Sequence, residues 1–267
     1  MNTNLAVSLL ALKKIDDLDN FLKILKNEKI QFLELPITKI FSNFNYNKKK
    51  LNSLNNILNK YSLKISSVQA IFYGKEELNI FNKKKHNKII LHIKKVIKIT
   101  KFFKAKNLIF GSPINRKINI QAKSKQIKNG EIILQKIIKL CEKNNLFFCI
   151  EPNAKHYGCN YINTINQALN LVKKIPSKNF LINADTGNIS LEEKKFLNYK
   201  KQKKYFGNFQ ISEKNLVSLT KGKVNHVKIL NCFDVKNKII SLEMNKIDIN
   251  IFQSQIKKFK KIIKNIS

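Results

Sequence analysis

The sequence has no tryptophan, a single arginine (Arg116), 4 prolines and 7 glycines among 267 residues, and only 4 histidines and 4 cysteines. Each scarcity excludes something. Cys141, Cys149, Cys159 and Cys232 form no CxxC pair and no Cys/His ligand spacing, which argues against a zinc finger or a disulfide framework and for thiols packed as small hydrophobes. No apolar run approaches the roughly 18 residues that span a bilayer. The stretch Met1 to Leu10 lacks the basic flank and cleavage site of a secretory signal, so a soluble cytoplasmic protein without membrane partners is expected. With 43% apolar residues the chain is not a disordered one, and its length suits a single (β/α)8 barrel, which needs about 250 residues.

What is abundant is positive charge. Against 17 acidic residues stand 52 basic ones, a formal charge of +35. Such a field ordinarily points to a polyanion. Here 51 of the 52 are lysine, spread over almost every segment together with Asn and Ile, a pattern of coding bias toward A and T and not of a basic groove. Nucleic-acid sites lean on arginine forks and aromatic platforms, and no such module is present, so no nucleic-acid partner is expected. The same bias makes Arg116 conspicuous. Where lysine serves as a point charge everywhere else, a retained guanidinium marks either a place where a planar fork matters, such as a carboxylate, phosphate or sugar diol, or a chance survivor on the surface.

Short apolar runs alternate with longer amphipathic stretches from end to end. Strands are predicted at Leu5 to Leu9, Gln31 to Leu35, Ile65 to Gln69, Asn107 to Gly111, Leu146 to Glu151, Phe180 to Asp185, Phe206 to Gln210 and Lys238 to Glu243. Between them apolar residues recur at helical spacing, as in Leu51, Leu54, Leu58 and Tyr61, or Ile165, Ala168, Leu169 and Val172. Val227 to Leu230 reads either as a ninth strand or, with Val224 and Phe233 in the same stripe, as the seventh helix; the helix leaves eight strands. Phe252, Ile256, Phe259 and Ile263 make the last helix. Eight parallel βα units without a long Gly/Ser/Pro linker imply one α/β domain over residues 1–267, a closed barrel that leaves no sheet edge.

In such a barrel the chemistry sits at the carboxyl ends of the strands. Those ends carry Glu34, Gln69, Asn115 with Arg116, Glu151, Asp185, Gln210 and Glu243. Converging carboxylates must raise one another's pKa or recruit a cation, and oxygen donors favour Mg²⁺ or Mn²⁺ over Zn²⁺. The competing reading is that each acid pairs with one of the many lysines.

The ordered segments EPN at Glu151 to Asn153, ADTGN at Ala184 to Asn188, FQISE at Phe209 to Glu213 and SLEM at Ser241 to Met244 resemble those of the xylose isomerase-like barrel superfamily of sugar and sugar-phosphate isomerases and epimerases. FLELPITKI at 32–40, SSVQAIFYGKEELNIF at 66–81 and FGSPINR at 110–116 extend the resemblance over nearly the whole chain. The resemblance implies a divalent metal, Mg²⁺ or Mn²⁺, held by Glu151, Asp185 and Glu243, with Gln210 standing where the family has a histidine. Asn188 likewise stands where a substrate-binding histidine is frequent. The implied chemistry is proton removal beside a carbonyl and its return to the neighbouring carbon or the opposite face. Glu151 and Glu243 would be the acid/base pair on either side of an enediolate. Gln69, Asn115, Arg116, Asn153, His156 and Asn188 are the expected contacts to a small sugar or sugar-phosphate substrate, with Lys155 beside His156. Oligomeric state stays open, a homo-oligomer being one alternative. Two rival readings share the fold: a non-catalytic sugar-binding barrel that lost its metal site with its histidine, and an abasic-site endonuclease, whose zinc chemistry calls for more histidines than this chain supplies.

Overall fold

The computed structural model describes residues 4–41, 46–193 and 195–266, so the first three residues of the amino-terminal stretch lie outside the described residues. Eight strands, β1 (Asn4–Ser8), β2 (Phe32–Pro36), β3 (Lys64–Gln69), β4 (Asn107–Phe110), β5 (Phe147–Ile150), β6 (Phe180–Asp185), β7 (Phe206–Ile211) and β8 (Ile239–Leu242), close into a barrel in sequence order. Every neighbouring pair is parallel, including β8 with β1. The helices are α1 (Leu18–Asn27), α2 (Ile37–Ile40), α3 (Lys48–Lys60), α4 (His86–Phe102), α5 (Lys123–Lys143), α6 (Ile165–Lys174), α7 (Thr186–Glu192), α8 (His226–Leu230) and α9 (Ile249–Lys264). The expected strands are all present within one or two residues of their predicted ends, and the ambiguous Val227 to Leu230 is the helix α8. β7 forms despite Gly207 and Asn208 because both of its neighbours supply a ladder.

The two faces of the strands have different duties. Outward residues pack under the helices, and four rings from successive units, Phe72, Phe110, Phe148 and Phe180, touch in a belt with centroid separations of 5.3, 5.5 and 6.2 Å. A second aromatic group, Tyr199, Phe206, Phe209 and Phe233, seals the β7 side. Inward residues are polar to an unusual degree: Ser8, Glu34, Ser67, Gln69, Asn183, Asp185, Asn208, Gln210 and Ser241 are all buried. The register of β2 on β3 shifts at Leu33/Glu34 and that of β6 on β7 at Ile182/Asn183, just where these polar residues begin. A shift of this kind re-aims side chains, and here it turns them toward the barrel axis. No helix among the described residues is long and apolar enough to cross a membrane.

Candidate active site

A cavity of about 490 Å³ opens at the carboxyl ends of the strands. Glu151, the residue after β5, and Glu243, the residue after β8, both stand on its wall, joined by Gln69, Asn153, Asn188 and Asn115. Asp185, Gln210, Arg116 and His156 do not. Glu151 is 7% exposed, whereas Glu243 is partly open to the cavity although it lies deep beneath the protein surface.

The floor is a network of amides and carboxyls. Glu34 accepts from the Ser67 hydroxyl at 2.8 Å, from Asn208 at 3.0 Å and from Gln210 at 2.8 Å. Asn183 donates to Glu151 at 2.8 Å and also to the Gln210 carbonyl oxygen. Glu151 accepts further from Asn153 at 2.7 Å and from Asn188 at 3.0 Å. Asn188 bridges the acids, since the same amide donates to Asp185 at 3.0 Å. The Gln69 amide, turned with its nitrogen toward the acids, lies 3.2 Å from both Glu34 and Glu243. Asp185 also caps α7, accepting from the Asn188 N–H at 2.8 Å.

This environment sets the protonation. Burial raises the pKa of Glu34, Glu151, Asp185 and Glu243 alike, because a low-dielectric interior disfavours the charged form. The negative charge of Asp185 pushes Glu151 further up, and that of Glu151 does the same to Glu243. The expectation that each acid pairs with its own lysine fails here, for the bonds to these acids run to neutral amides and hydroxyls.

Three of the expected substrate contacts are engaged with the protein itself. Arg116 is fully buried: its guanidinium donates to the carbonyl oxygens of Gly111 (2.7 Å), Glu151 (2.7 Å) and Tyr161 (3.3 Å) and to the Asn153 amide oxygen. It holds loops together and presents nothing to a phosphate. Asn115 spends its amide nitrogen on the carbonyls of Lys75 and Leu78, so it staples the β3 loop, although it borders the cavity. His156 is exposed, bonded to Asn215 at 2.9 Å and away from the cavity wall.

The four side chains that the resemblance assigns to a divalent cation do not fit one as they stand. Among the described residues no three His, Cys, Asp or Glu groups form a set able to hold a metal ion. The Gln210 oxygen is turned to Asn183 and both Glu151 oxygens carry amide N–H groups, while the buried Asp185 Oδ2 has no partner. A hard cation needs several free oxygens around one point, and here the Glu151 carboxylate is already taken by the amides of Asn153, Asn183 and Asn188.

Sequence reasoning missed Asn183, Asn208, Ser8 and Ser67. Their signal was the two-residue period of the strands: Asn183 precedes Asp185, Asn208 precedes Gln210 and Ser67 precedes Gln69 by two, so each pair points the same way into the barrel.

Fold and site together define a (β/α)8 barrel with an acid-walled cavity in the position where such barrels do their chemistry. A family model described as the xylose isomerase-like TIM barrel matches residues 22–262, and the chain belongs to that family. No curated protein matches it. Among solved structures it is similar to D-allulose 3-epimerase from Methylomonas sp. in complex with D-allulose, at 13% identity over 97% of this chain and 96% of that one, with a TM-score of 0.75. AP endonuclease, family 2 from Brucella melitensis is similar at 12% identity, 97% and 98% coverage and a TM-score of 0.76. The IOLI protein with a bound zinc atom is similar at 15% identity, 98% and 96% coverage and a TM-score of 0.68. Likenesses this distant are likenesses of fold.

Proposed function

We propose that the protein is an isomerase or epimerase that moves a proton at the carbon beside the carbonyl of a sugar. The observation that carries this reading is that Glu151 and Glu243, three strands apart around the ring, stand on the wall of one cavity whose other polar side chains, Glu76 apart, are amides and hydroxyls. Burial raises the pKa of both acids and the negative charge of Glu151 raises that of Glu243 further, so ionisation of the first disfavours ionisation of the second. One is then a carboxylate and the other a carboxylic acid, the division of labour that proton transfer needs.

In the forward step the ionised carboxylate takes the proton from carbon, and the electron pair left behind forms the carbon–carbon double bond as the carbonyl oxygen gains charge. The neutral carboxyl donates a hydrogen bond to that oxygen, and then a proton, which stabilises the enediol. For the isomer, the protonated base returns its proton to the adjacent carbon while the hydroxyl on the first carbon gives its proton to the other carboxylate; for the epimer, that carboxylate takes back the enediol proton and delivers it to the opposite face of the original carbon. Asn153 and Asn188 orient Glu151 through their amide bonds, and Gln69 does the same for Glu243. Because the donor set does not fit Mg²⁺ or Mn²⁺, no step is drawn through a metal.

Wash-in of deuterium from D2O into a panel of aldoses, ketoses and their 6-phosphates tests this. Exchange is expected in the wild type, and Glu243→Gln should lower it by at least about 100-fold, the size of a general acid/base contribution; undiminished exchange in that variant removes Glu243 from the reaction. Treatment with EDTA is expected to leave exchange unchanged, and loss restored by Mn²⁺ would return the site to metal chemistry. The saturation of Glu151 by three amides also favours a second reading, a binding barrel without turnover. In that case sugar binds and no deuterium enters.

A further inference from the structure

We infer that the ligand of this cavity is an uncharged sugar, one without phosphate or carboxylate. The inference rests on the proposed site and narrows its substrate class. In a chain where 52 of 267 residues are basic, the cavity wall holds no lysine, arginine or histidine among the described residues. Its charged side chains are Glu76 at the rim and Glu151 and Glu243 within, all acidic. Its remaining surface is amide, hydroxyl and apolar, with Phe72, Ile109 and Leu216 on the wall and Tyr73, 70% exposed, at the mouth.

The one guanidinium close enough to have served an anion is turned away. Arg116 bonds the Glu151 carbonyl and the Asn153 side chain, both directly behind the wall, yet it is fully buried and its donors go to the protein's own oxygens. A phosphate entering this space would lose its hydration, find no cation, and add negative charge beside acids that already repel one another. The whole-molecule field draws anions toward the surface; the discrimination therefore belongs to the cavity wall. A neutral polyol meets the opposite situation. Its hydroxyls find amide and carboxyl partners, and its C–H faces find Phe72 and Tyr73, the mixture of apolar wall and few polar groups that small-molecule sites present.

Isothermal titration calorimetry of the full chain with ketohexoses and aldohexoses against their 6-phosphates decides it, performed at high salt to suppress attachment of phosphate to surface lysines. At least one neutral sugar is expected to bind, with its phosphate at least tenfold weaker. A phosphate that binds as tightly as its parent overturns the inference, as does failure of every neutral sugar to bind. Ile114→Lys, a change at a 49% exposed position on the cavity rim, is expected to raise phosphate affinity several-fold while leaving the neutral sugar unaffected. No gain there means that the missing cation is not what excludes the phosphate, and counts against the inference. The outcome is separable from that of the proposed reaction: preference for neutral sugars without deuterium wash-in fails the reaction alone, and wash-in restricted to phosphates fails this inference alone.

Discussion

Arg116 shows how a single side chain serves the site without touching its contents. The fork joins the β4–α5 and β5–α6 segments, reaching the Gly111, Glu151 and Tyr161 carbonyls from three separate nitrogens, which the single ammonium of lysine cannot do. It is also the buried positive charge whose field draws the Glu151 pKa downward, against the larger effect of burial. Arg116→Lys should therefore cost about 3 kcal/mol of stability, since it strands buried acceptors; urea unfolding measures it, and a change below about 0.5 kcal/mol would mean that the loops do not depend on the fork. His92 gives the pH dependence at this scale. Its ring is buried, bonds to the Ile71 carbonyl and stacks on Phe72 at 5.1 Å, with Lys75, Lys95 and Glu77 the charges that face it. Burial lowers its pKa below the model-compound value of 6.5, so the fold prefers the neutral ring. That stability is present above the unfolded value and is lost as pH falls through the lowered, folded one. Melting temperature should fall on acidification below about pH 6.5, and less steeply in His92→Gln; equal slopes in both proteins would clear His92 of the effect.

At the scale of elements, the junction of β6 and α7 does the positioning. Asp185 ends the strand and caps the helix, and Asn188 in the first turn bridges it to Glu151. The helix can begin there because Gly187 lies against β7: a Cβ at that position would come within 2.9 Å of the Ser212 carbonyl oxygen. Gly187→Ala should push α7 off β7 at a cost of about 1–3 kcal/mol, typical of overpacking. Deuterium exchange should fall with it, because Asn188 moves with the helix; a variant of wild-type stability would show that the helix yields freely. A buried cluster nearby, in which His226 bonds Glu213 at 2.9 Å and Thr186 at 2.9 Å, ties α8 to the same junction. Its sequence gives little warning of it, since Glu213 and His226 are separated by loop residues without periodicity.

For the whole molecule the decisive quantity is charge. A formal +35 on one barrel is a self-repelling surface, and a surface ion pair such as Lys60 with Asp19 at 2.8 Å is exposed and individually weak. Added salt should raise the melting temperature, because lysines separated by more than a Debye length of about 10 Å at 0.1 M are screened from one another. A melting temperature that falls with added NaCl would show that pairing outweighs repulsion. Lysine is tolerated at such density because the barrel keeps two separate interiors, the aromatic layer under the helices and the polar core, and among the described residues no lysine is buried in either.

The order of apolar runs alone determined the architecture. Period two in the strands and 3.6 in the helices, repeated eight times, leaves little but a closed parallel barrel. The acids at the strand ends, from Glu34 to Glu243, were legible for the same reason, since position along a strand fixes which end of the barrel a residue occupies. Direction and partnership were not. That Glu151 and Glu243 reach the cavity while Asp185 and Gln210 do not, and that Arg116 turns inward, depend on strand register and on loops remote in the chain. Asn208 and Glu34 meet across a sequence separation of 174 residues. Only closure of the barrel brings such groups within hydrogen-bond distance, and no local pattern encodes which amide will face which acid.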